Sequence, residues 1–146
     1  MASLDVDRIT ELLAGPHQAV LAVGRLDKGP VAVPMSYYFA HDRFHMVTDP
    51  SSLHGRLMAK RGRATMTVQA ETVVGRSVRQ WYVMAEGPVS FRDDDPAPHV
   101  RAILAKDRGE ENADEWAGAG PPAEVCLVVL DPARLSGYEF RESLDT

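Results

Sequence analysis

A run of basic residues is the part of the sequence with the clearest chemistry. Between His54 and Arg63 every fully charged side chain is basic. These side chains are Arg56, Lys60, Arg61 and Arg63. The chain as a whole is acidic, with a formal net charge of −5 at pH 7. Nucleic-acid binders usually carry a basic excess, so a local basic patch on an acidic protein favours a small anionic ligand.

Other candidate groups of residues indicate less chemistry. His41 and His45 flank a turn, but no third metal ligand accompanies them, so we predict no metal site. The aspartates at 93–95 precede Pro96 and are typical of a helix start. The sequence has no Ser-His-Asp or Cys-His set and no glycine-rich nucleotide motif, which argues against a Rossmann domain. No catalytic residue is identified, and Cys126, the single cysteine, is expected to pack in an apolar strand.

The hydrophobic pattern predicts short helices and longer strands. A first helix is capped by Ser3 and stopped by Gly15-Pro16. AVLAVGRL and PVAVPMSYYF then form an antiparallel hairpin, and FHMVT is a third strand. Asp49 is expected to cap a second helix with Pro50 at its first position, with Leu53, Leu57 and Met58 inward and Gly62 at its end.

In the second half of the sequence, the residue pattern predicts two long strands, ATMTVQAETVVG and SVRQWYVMAEGPVSF, followed by a helix after Pro96. Residues 108–122 lack periodicity and are interpreted as a loop. EVCLVVLDP is a last long strand, and GYEF adds a short piece. With about six strands, three short helices and no βαβ unit, we expect one domain over residues 1–146, a mostly β, nearly closed antiparallel barrel.

Composition also bears on location. No stretch reaches the roughly 20 apolar residues that a membrane helix needs. The first ten residues, MASLDVDRIT, lack an apolar signal region, so we expect a cytoplasmic protein with no membrane or nucleic-acid partner.

The order of these elements resembles the pyridoxamine 5′-phosphate oxidase-like split β-barrels, which bind FMN or the deazaflavin coenzyme F-420. The segments that carry the resemblance are AVLAVGRLDKGPVAVPMSYYF, FHMVTDPSSLHGRLMAKRGRATMTV, WYVMAEGPVSF and VVLDPARLSGYEF. The resemblance implies an antiparallel six-stranded split β-barrel of the FMN-binding type. It also implies a homodimer with two cofactor sites in clefts between the subunits.

The resemblance further implies which residues bind the cofactor. The ring would lie along the strand that holds Val33, Pro34, Met35 and Ser36. The phosphate would be bound by Thr48, Ser51, Ser52, His54, Arg56 and Lys60. A helix N-terminus, hydroxyl donors and cationic side chains are the groups that bind phosphate in proteins. Many relatives have Lys where this chain has His54, and often Asn where it has Arg56, so FMN and coenzyme F-420 both stay open.

The function implied is a flavin- or deazaflavin-dependent oxidoreductase that transfers hydride to or from a small organic substrate. Substrate would lie on the open face of the ring near Tyr37 or Trp81. The alternative is a non-catalytic protein of the same fold that binds or carries a cofactor or a haem-type ligand. A third possibility is a barrel without cofactor that serves as a dimeric interaction module.

Overall fold

The structure, a computed structural model, describes residues 2–118 and 124–144. Nine strands and four helices lie in these ranges. The strands are β1 Ala2–Ser3, β2 Ala19–Val23, β3 Val31–Met35, β4 Tyr38–Ala40, β5 Arg43–Thr48, β6 Arg63–Val74, β7 Ser77–Arg92, β8 Cys126–Leu130 and β9 Arg134–Ser143. The helices are α1 Val6–Leu13, α2 Leu53–Arg61, α3 Ala97–Arg108 and α4 Glu110–Ala117.

All strand pairs are antiparallel, and their order along the main path is β3-β2-β6-β7-β8-β5-β4. β9 pairs with β7 off this path, and the short β1 pairs with β9. Within the described ranges, β3 and β4 end the path and do not pair with each other, so the sheet is not closed. The predicted mostly β, antiparallel fold with short helices is confirmed, with nine described strands where about six were expected.

Strand β7 belongs to both halves of the sheet. Its residues Ser77–Glu86 pair with β9, whereas Val89–Arg92 pair with β8 on the same edge. The change of partner falls at Gly87. There the Ala133 N–H donates to the Glu86 carbonyl at 2.8 Å, and the Asp131 N–H donates to the Pro88 carbonyl at 3.0 Å. The turn between β8 and β9 therefore lies directly against the β7 backbone.

The core lies between the two halves of this sheet. Alternate residues of the strands point into it, which is the period of two expected for half-buried strands. The largest fully buried side chains are Tyr37, Phe44, Ile9, Leu13, Leu21, Met46, Met58, Met66, Leu127, Leu130, Val23 and Val68. None of the described helices is long and apolar enough to span a bilayer.

Several predicted boundaries are wrong in detail. PVAVPMSYYF forms two strands, β3 and β4, rather than one. Residues 110–117, interpreted as loop, form α4, while residues 119–122 of that segment lie outside the described ranges. The GYEF piece belongs to the ten-residue β9.

The helix starts also differ from the prediction. α1 is capped by Asp5, which accepts from the Arg8 N–H, and not by Ser3. α2 is capped by Ser52 and not by Asp49. Leu53, the first residue of α2, is 48% exposed rather than inward. Gly62 does end α2, in the left-handed conformation.

Helix α3 is joined to β4 and β5 by three stacked rings. Tyr38 lies parallel to His45 at a centroid distance of 4.5 Å and to His99 at 5.9 Å. The Tyr38 hydroxyl also forms a 2.6 Å hydrogen bond with His99 Nδ1. Burial lowers the pKa of His45, and the neighbouring His99 lowers it further. The neutral imidazole is therefore the form of His45 that this packing favours.

Substituting Gly87 tests the partner change of β7. An ideal Cβ at Gly87 would lie 2.1 Å from the Asp131 carbonyl oxygen and 2.7 Å from the Ala133 nitrogen. We expect Gly87→Ala to lower the free energy of unfolding by about 1–3 kcal/mol or more, because backbone must move to admit the methyl group. Gly24→Ala is the matched control, since nothing lies within 4 Å of its Cβ. Urea unfolding measures both, and equal midpoints for the two variants would contradict the packing described.

Titrating stability tests the ring stack. The pKa of His45 lies below its ordinary 6.5 in the folded state, so the unfolded chain binds more protons at His45 below about pH 6.5. Stability is therefore full above that pH and decreases as the pH falls toward the folded pKa. We expect His45→Phe, which keeps a stacked ring without a titrating group, to lose less stability between pH 8 and pH 5.5 than the parent chain. Identical losses in urea midpoint would rule out a contribution from His45.

Candidate functional site

The turn between β5 and α2 brings several of the predicted site residues together. β5 ends at Thr48, and α2 begins at Leu53. The turn folds back on the first turn of the helix so closely that a Cβ at Gly55 would lie 2.5 Å from the Asp49 carbonyl oxygen and 3.0 Å from the Pro50 Cα. Gly55 is thus the residue that allows this corner to close.

Asp49 and the two serines organise the turn through short hydrogen bonds. The Asp49 carboxylate accepts from the Ser51 hydroxyl at 2.7 Å and from the Ser51 N–H at 2.8 Å. The Ser52 hydroxyl donates to the Asp49 carbonyl at 2.6 Å and accepts from the Gly55 N–H at 3.1 Å. The hydrogen bonds from Ser51 lower the pKa of Asp49. Asp49 is therefore ionised at neutral pH.

His54 binds back to the end of β5. Its Nε2 lies 2.7 Å from the Thr48 hydroxyl and 3.3 Å from the Ser52 hydroxyl. The Thr48 side chain is buried, with 6% exposure. Thr48 and His54 thus hold the helix start against the strand. Ser51, Arg56 and Lys60 are exposed. Because Ser51 donates to Asp49 and Lys60 lies in the last turn of α2, Arg56 is the one of these three that can face a ligand at the helix start.

The charge at this corner is mixed. Arg56 and Lys60 lie exposed on α2, and the first-turn N–H groups of a helix add a partial positive charge. The ionised Asp49 carboxylate opposes an anion here. The Arg56 guanidinium and a helix N-terminus against one carboxylate leave a corner that suits a phosphate group, although the carboxylate weakens it. Lys60 lies in the last turn of α2, away from the helix start.

Strand β3, the predicted ring-binding strand, ends the sheet path and contacts α2. Its residues alternate, so that Val33 and Met35 pack toward the core while Pro34 is exposed. Val33 and Met35 can therefore offer a ligand only their backbone groups. Ser36 follows the strand and is half-buried. Among the described residues β3 pairs only with β2, so its other edge carries backbone N–H and carbonyl groups suited to a planar heterocycle.

The two predicted substrate-pocket residues lie mainly in the core. Tyr37 is fully buried, and its hydroxyl donates to the Leu13 carbonyl at 3.0 Å while the Lys106 ammonium lies 4.2 Å from its ring centroid. Tyr37 therefore presents no exposed side-chain surface to a ligand. Trp81 is 7% exposed and packs edge-on against His17, with centroids 5.0 Å apart.

An aromatic cleft on the outer face of the sheet was not predicted. It has a volume of about 660 Å³ and crosses β6, β7 and β9. Tyr82 and Tyr138 stand opposite each other there, with ring centroids 5.3 Å apart. The side chains that line this face are Gln69, Glu71, Gln80, Tyr82, Tyr138 and Phe140. The strand alternation could have indicated this cleft, because the same strands carry their core residues at the intervening positions.

The cluster of Tyr38, His45 and His99 was also missed. His99 Nε2 lies 3.7 Å from the Asp94 carboxylate, and its Nδ1 forms a hydrogen bond with the Tyr38 hydroxyl. Tyr38, His99 and Asp94 therefore form a chain of polar contacts. His45 Nδ1 is shielded from solvent, and the polar groups nearest the ring are the backbones of Arg43 and Tyr38. His99 is 61 residues from Tyr38, and no local pattern could have connected them. No group of three metal-ligating side chains occurs within residues 2–118 and 124–144.

Comparison with known proteins places the fold. No protein-family model and no curated protein matches the sequence. Among solved structures, a FAD-binding protein from Mesorhizobium loti is similar, with a TM-score of 0.71, 18% identity and 97% of each chain covered.

Two further solved structures agree. A FAD and heme binding protein from Mycobacterium smegmatis has a TM-score of 0.69 and 21% identity, over 91% of this chain and 70% of that one. The flavocytochrome Anf3 from Azotobacter vinelandii has a TM-score of 0.66 and 17% identity, over 97% of this chain and 71% of that one. At these identities the likeness shows the fold, and it confirms the predicted split-barrel architecture.

Proposed function

We propose that this chain binds a flavin or deazaflavin nucleotide and acts as an oxidoreductase on a small organic substrate. The observation that carries the proposal is the full-length likeness to a FAD-binding protein, together with likeness to a FAD and heme binding protein and a flavocytochrome. The corner at α2 adds independent support, because it combines a helix N-terminus with the exposed Arg56 side chain.

The residues of the chain divide the binding task between two elements. The first-turn N–H groups of α2 and the Arg56 guanidinium would hold the phosphate beside Ser51, and Lys60, in the last turn, would add positive charge farther along the helix. The backbone edge of β3 would face the ring, with Pro34 beside it. A flavin or deazaflavin supplies hydride-transfer chemistry when bound, and the protein contributes orientation and shielding from water. FMN, FAD and coenzyme F-420 all carry the phosphate and tricyclic ring that this division requires.

A non-catalytic carrier is the second candidate function. It is favoured by the side chains around the corner, where Asp49 and His54 are the titratable groups bonded within the turn and both are engaged by serine or threonine hydroxyls. Within this part of the described chain, neither Asp49 nor His54 is therefore placed to donate a proton to a substrate. Turnover of reduced cofactor with a panel of electron acceptors separates the two functions, and a haem-type ligand is tested by its absorbance spectrum.

We also propose that the protein is a cytoplasmic homodimer and that the outer face of the sheet forms the interface. Five strands present a row of uncharged residues there, in which each residue stands directly opposite the next. The row is Pro34, Val20, Thr67, Met84 and Ser136. Val20 and Met84 are 48% and 44% exposed, and an exposed apolar patch of this kind is typical of an interface.

A charge placed in the row tests the homodimer. We expect Met84→Glu to convert the dimer to monomer, because a carboxylate would be buried without a partner. Leu26→Glu, in the exposed turn after β2, adds the same charge outside the row and should leave the dimer intact. Sedimentation equilibrium measures both. A monomeric parent chain, or a Met84→Glu dimer of unchanged affinity, contradicts the proposed interface.

Cofactor titration tests the corner. We expect FMN, FAD or coenzyme F-420 to bind with a Kd of about 10 µM or tighter, and Arg56→Gln to weaken binding about tenfold, because a charge-assisted hydrogen bond is lost. Asp49→Asn should have the opposite effect on affinity and tighten cofactor binding several-fold, since it removes the carboxylate charge that opposes the phosphate. Fluorescence titration measures each affinity.

Arg43→Gln is the control for that titration, because it removes one positive charge at the other end of β5. Its affinity should equal that of the parent chain. Parallel weakening in Arg56→Gln and Arg43→Gln would indicate general electrostatics rather than a phosphate contact. Failure of all three cofactors to bind would contradict the proposed function and favour a barrel without cofactor that serves as a dimeric interaction module.

A further inference from the structure

Two arginines and one glutamate form a charge cluster where β7 and β9 extend past the core. Arg79 and Arg141 stand directly opposite each other on the two strands. The Nε–H of each donates to the same oxygen of Glu139, at 3.0 Å for Arg141. Because one carboxylate serves two guanidinium groups, one positive charge remains.

Part of this charge is withdrawn from water. The Glu139 side chain is 12% exposed and that of Arg79 is 35% exposed. Arg79 Nη2 is shielded from solvent and forms no hydrogen bond to any residue in the described ranges. A shielded cationic donor without an acceptor costs free energy that a suitable acceptor would recover. The cluster is therefore prepared for one more acceptor.

Hydroxyl groups surround the arginines on the same face. Thr72 pairs with Arg79 across β6 and β7, and Ser77 pairs with Ser143 across β7 and β9. The Ser77 hydroxyl donates to that of Ser143 at 3.1 Å. These residues line a shallow cleft of about 580 Å³. Glu142 also borders the cleft, but strand alternation places its side chain on the opposite face of the sheet.

We propose that this cleft binds an oxyanion, a carboxylate or phosphate group of a small molecule, with Arg79 and Arg141 as the principal contacts. Guanidinium groups bind such anions through paired N–H donors, and the Thr72 hydroxyl lies beside them as a neutral group. The cleft shares no residue with the corner at α2. It is therefore a second anion site, and its existence does not depend on the proposed cofactor.

The test is a ¹⁵N NMR titration of the whole chain with inorganic phosphate and, separately, with acetate at constant ionic strength. The arginine Nε–H signals of Arg79 and Arg141 should shift saturably with at least one of the two anions. Arg79→Gln should weaken this binding about tenfold or more. Arg92→Gln, a matched charge removal at the other end of β7, should leave it unchanged.

Arg141→Gln provides a second variant in case Arg79→Gln disturbs the fold, because the Arg141 side chain is 69% exposed. It should also weaken binding. The tighter of the two anions identifies the group that the cleft prefers. Shifts that do not saturate, or that are confined to residues 48–60, would overturn the proposal. The second of these outcomes would leave the cofactor site at α2 intact, so failure of one site does not imply failure of the other.

Discussion

The structure depends on one close backbone contact, between Gly87 of β7 and the turn at Asp131–Ala133. At this contact β7 leaves β9 and takes β8 as its neighbour, so that one strand belongs to both halves of the sheet. Two hydrogen bonds hold the turn against it, and no side chain larger than hydrogen fits between the two backbones. The core lies between the two halves of the sheet that β7 joins, and α2 packs against β2, β3, β6 and β7.

The candidate site follows from that placement of α2. Its first turn is tied to the end of β5 by His54 and to the preceding turn by Ser52, so the helix N-terminus is held rigidly. Rigid, preorganised donors bind an anion without an ordering cost. The opposing Asp49 limits how strongly they do so. On the other side of Gly87, β7 and β9 pair from Glu86 back to Ser77 and extend past the core. There Arg79 and Arg141 contact Glu139.

The fold class and several elements could be predicted because their signals are local. The hairpin of β2 and β3, the long β6 and β7 and the stop of α2 at Gly62 all follow from alternation and turn residues. α4 could not be predicted from its periodicity, because EENADEWA carries few apolar residues. The helix cap at Ser52 was missed because Asp49-Pro50 is itself a strong start signal, yet in the structure those residues form the turn before the helix.

The residues of the proposed corner could be selected from the sequence, but their exposure could not. The basic character of α2 is visible in the sequence, whereas the burial of Thr48 depends on tertiary packing. Tyr37 and Tyr38 are adjacent and chemically alike, yet Tyr37 is fully buried and Tyr38 is half-buried in the stack with His45 and His99. Contacts across long separations, such as Arg79 with Glu139 and Tyr38 with His99, arise from strand register and helix docking and have no local signal.

The most direct test of the central claim compares FMN with riboflavin, which has the ring but no phosphate. If the corner at α2 holds the phosphate, FMN binds at least about tenfold more tightly than riboflavin, since a charge-assisted contact is worth that much. Backbone amide signals of residues 51–56 should then shift with FMN and stay in place with riboflavin. Equal affinities for the two compounds, or FMN binding without any shift at residues 51–56, would contradict the account.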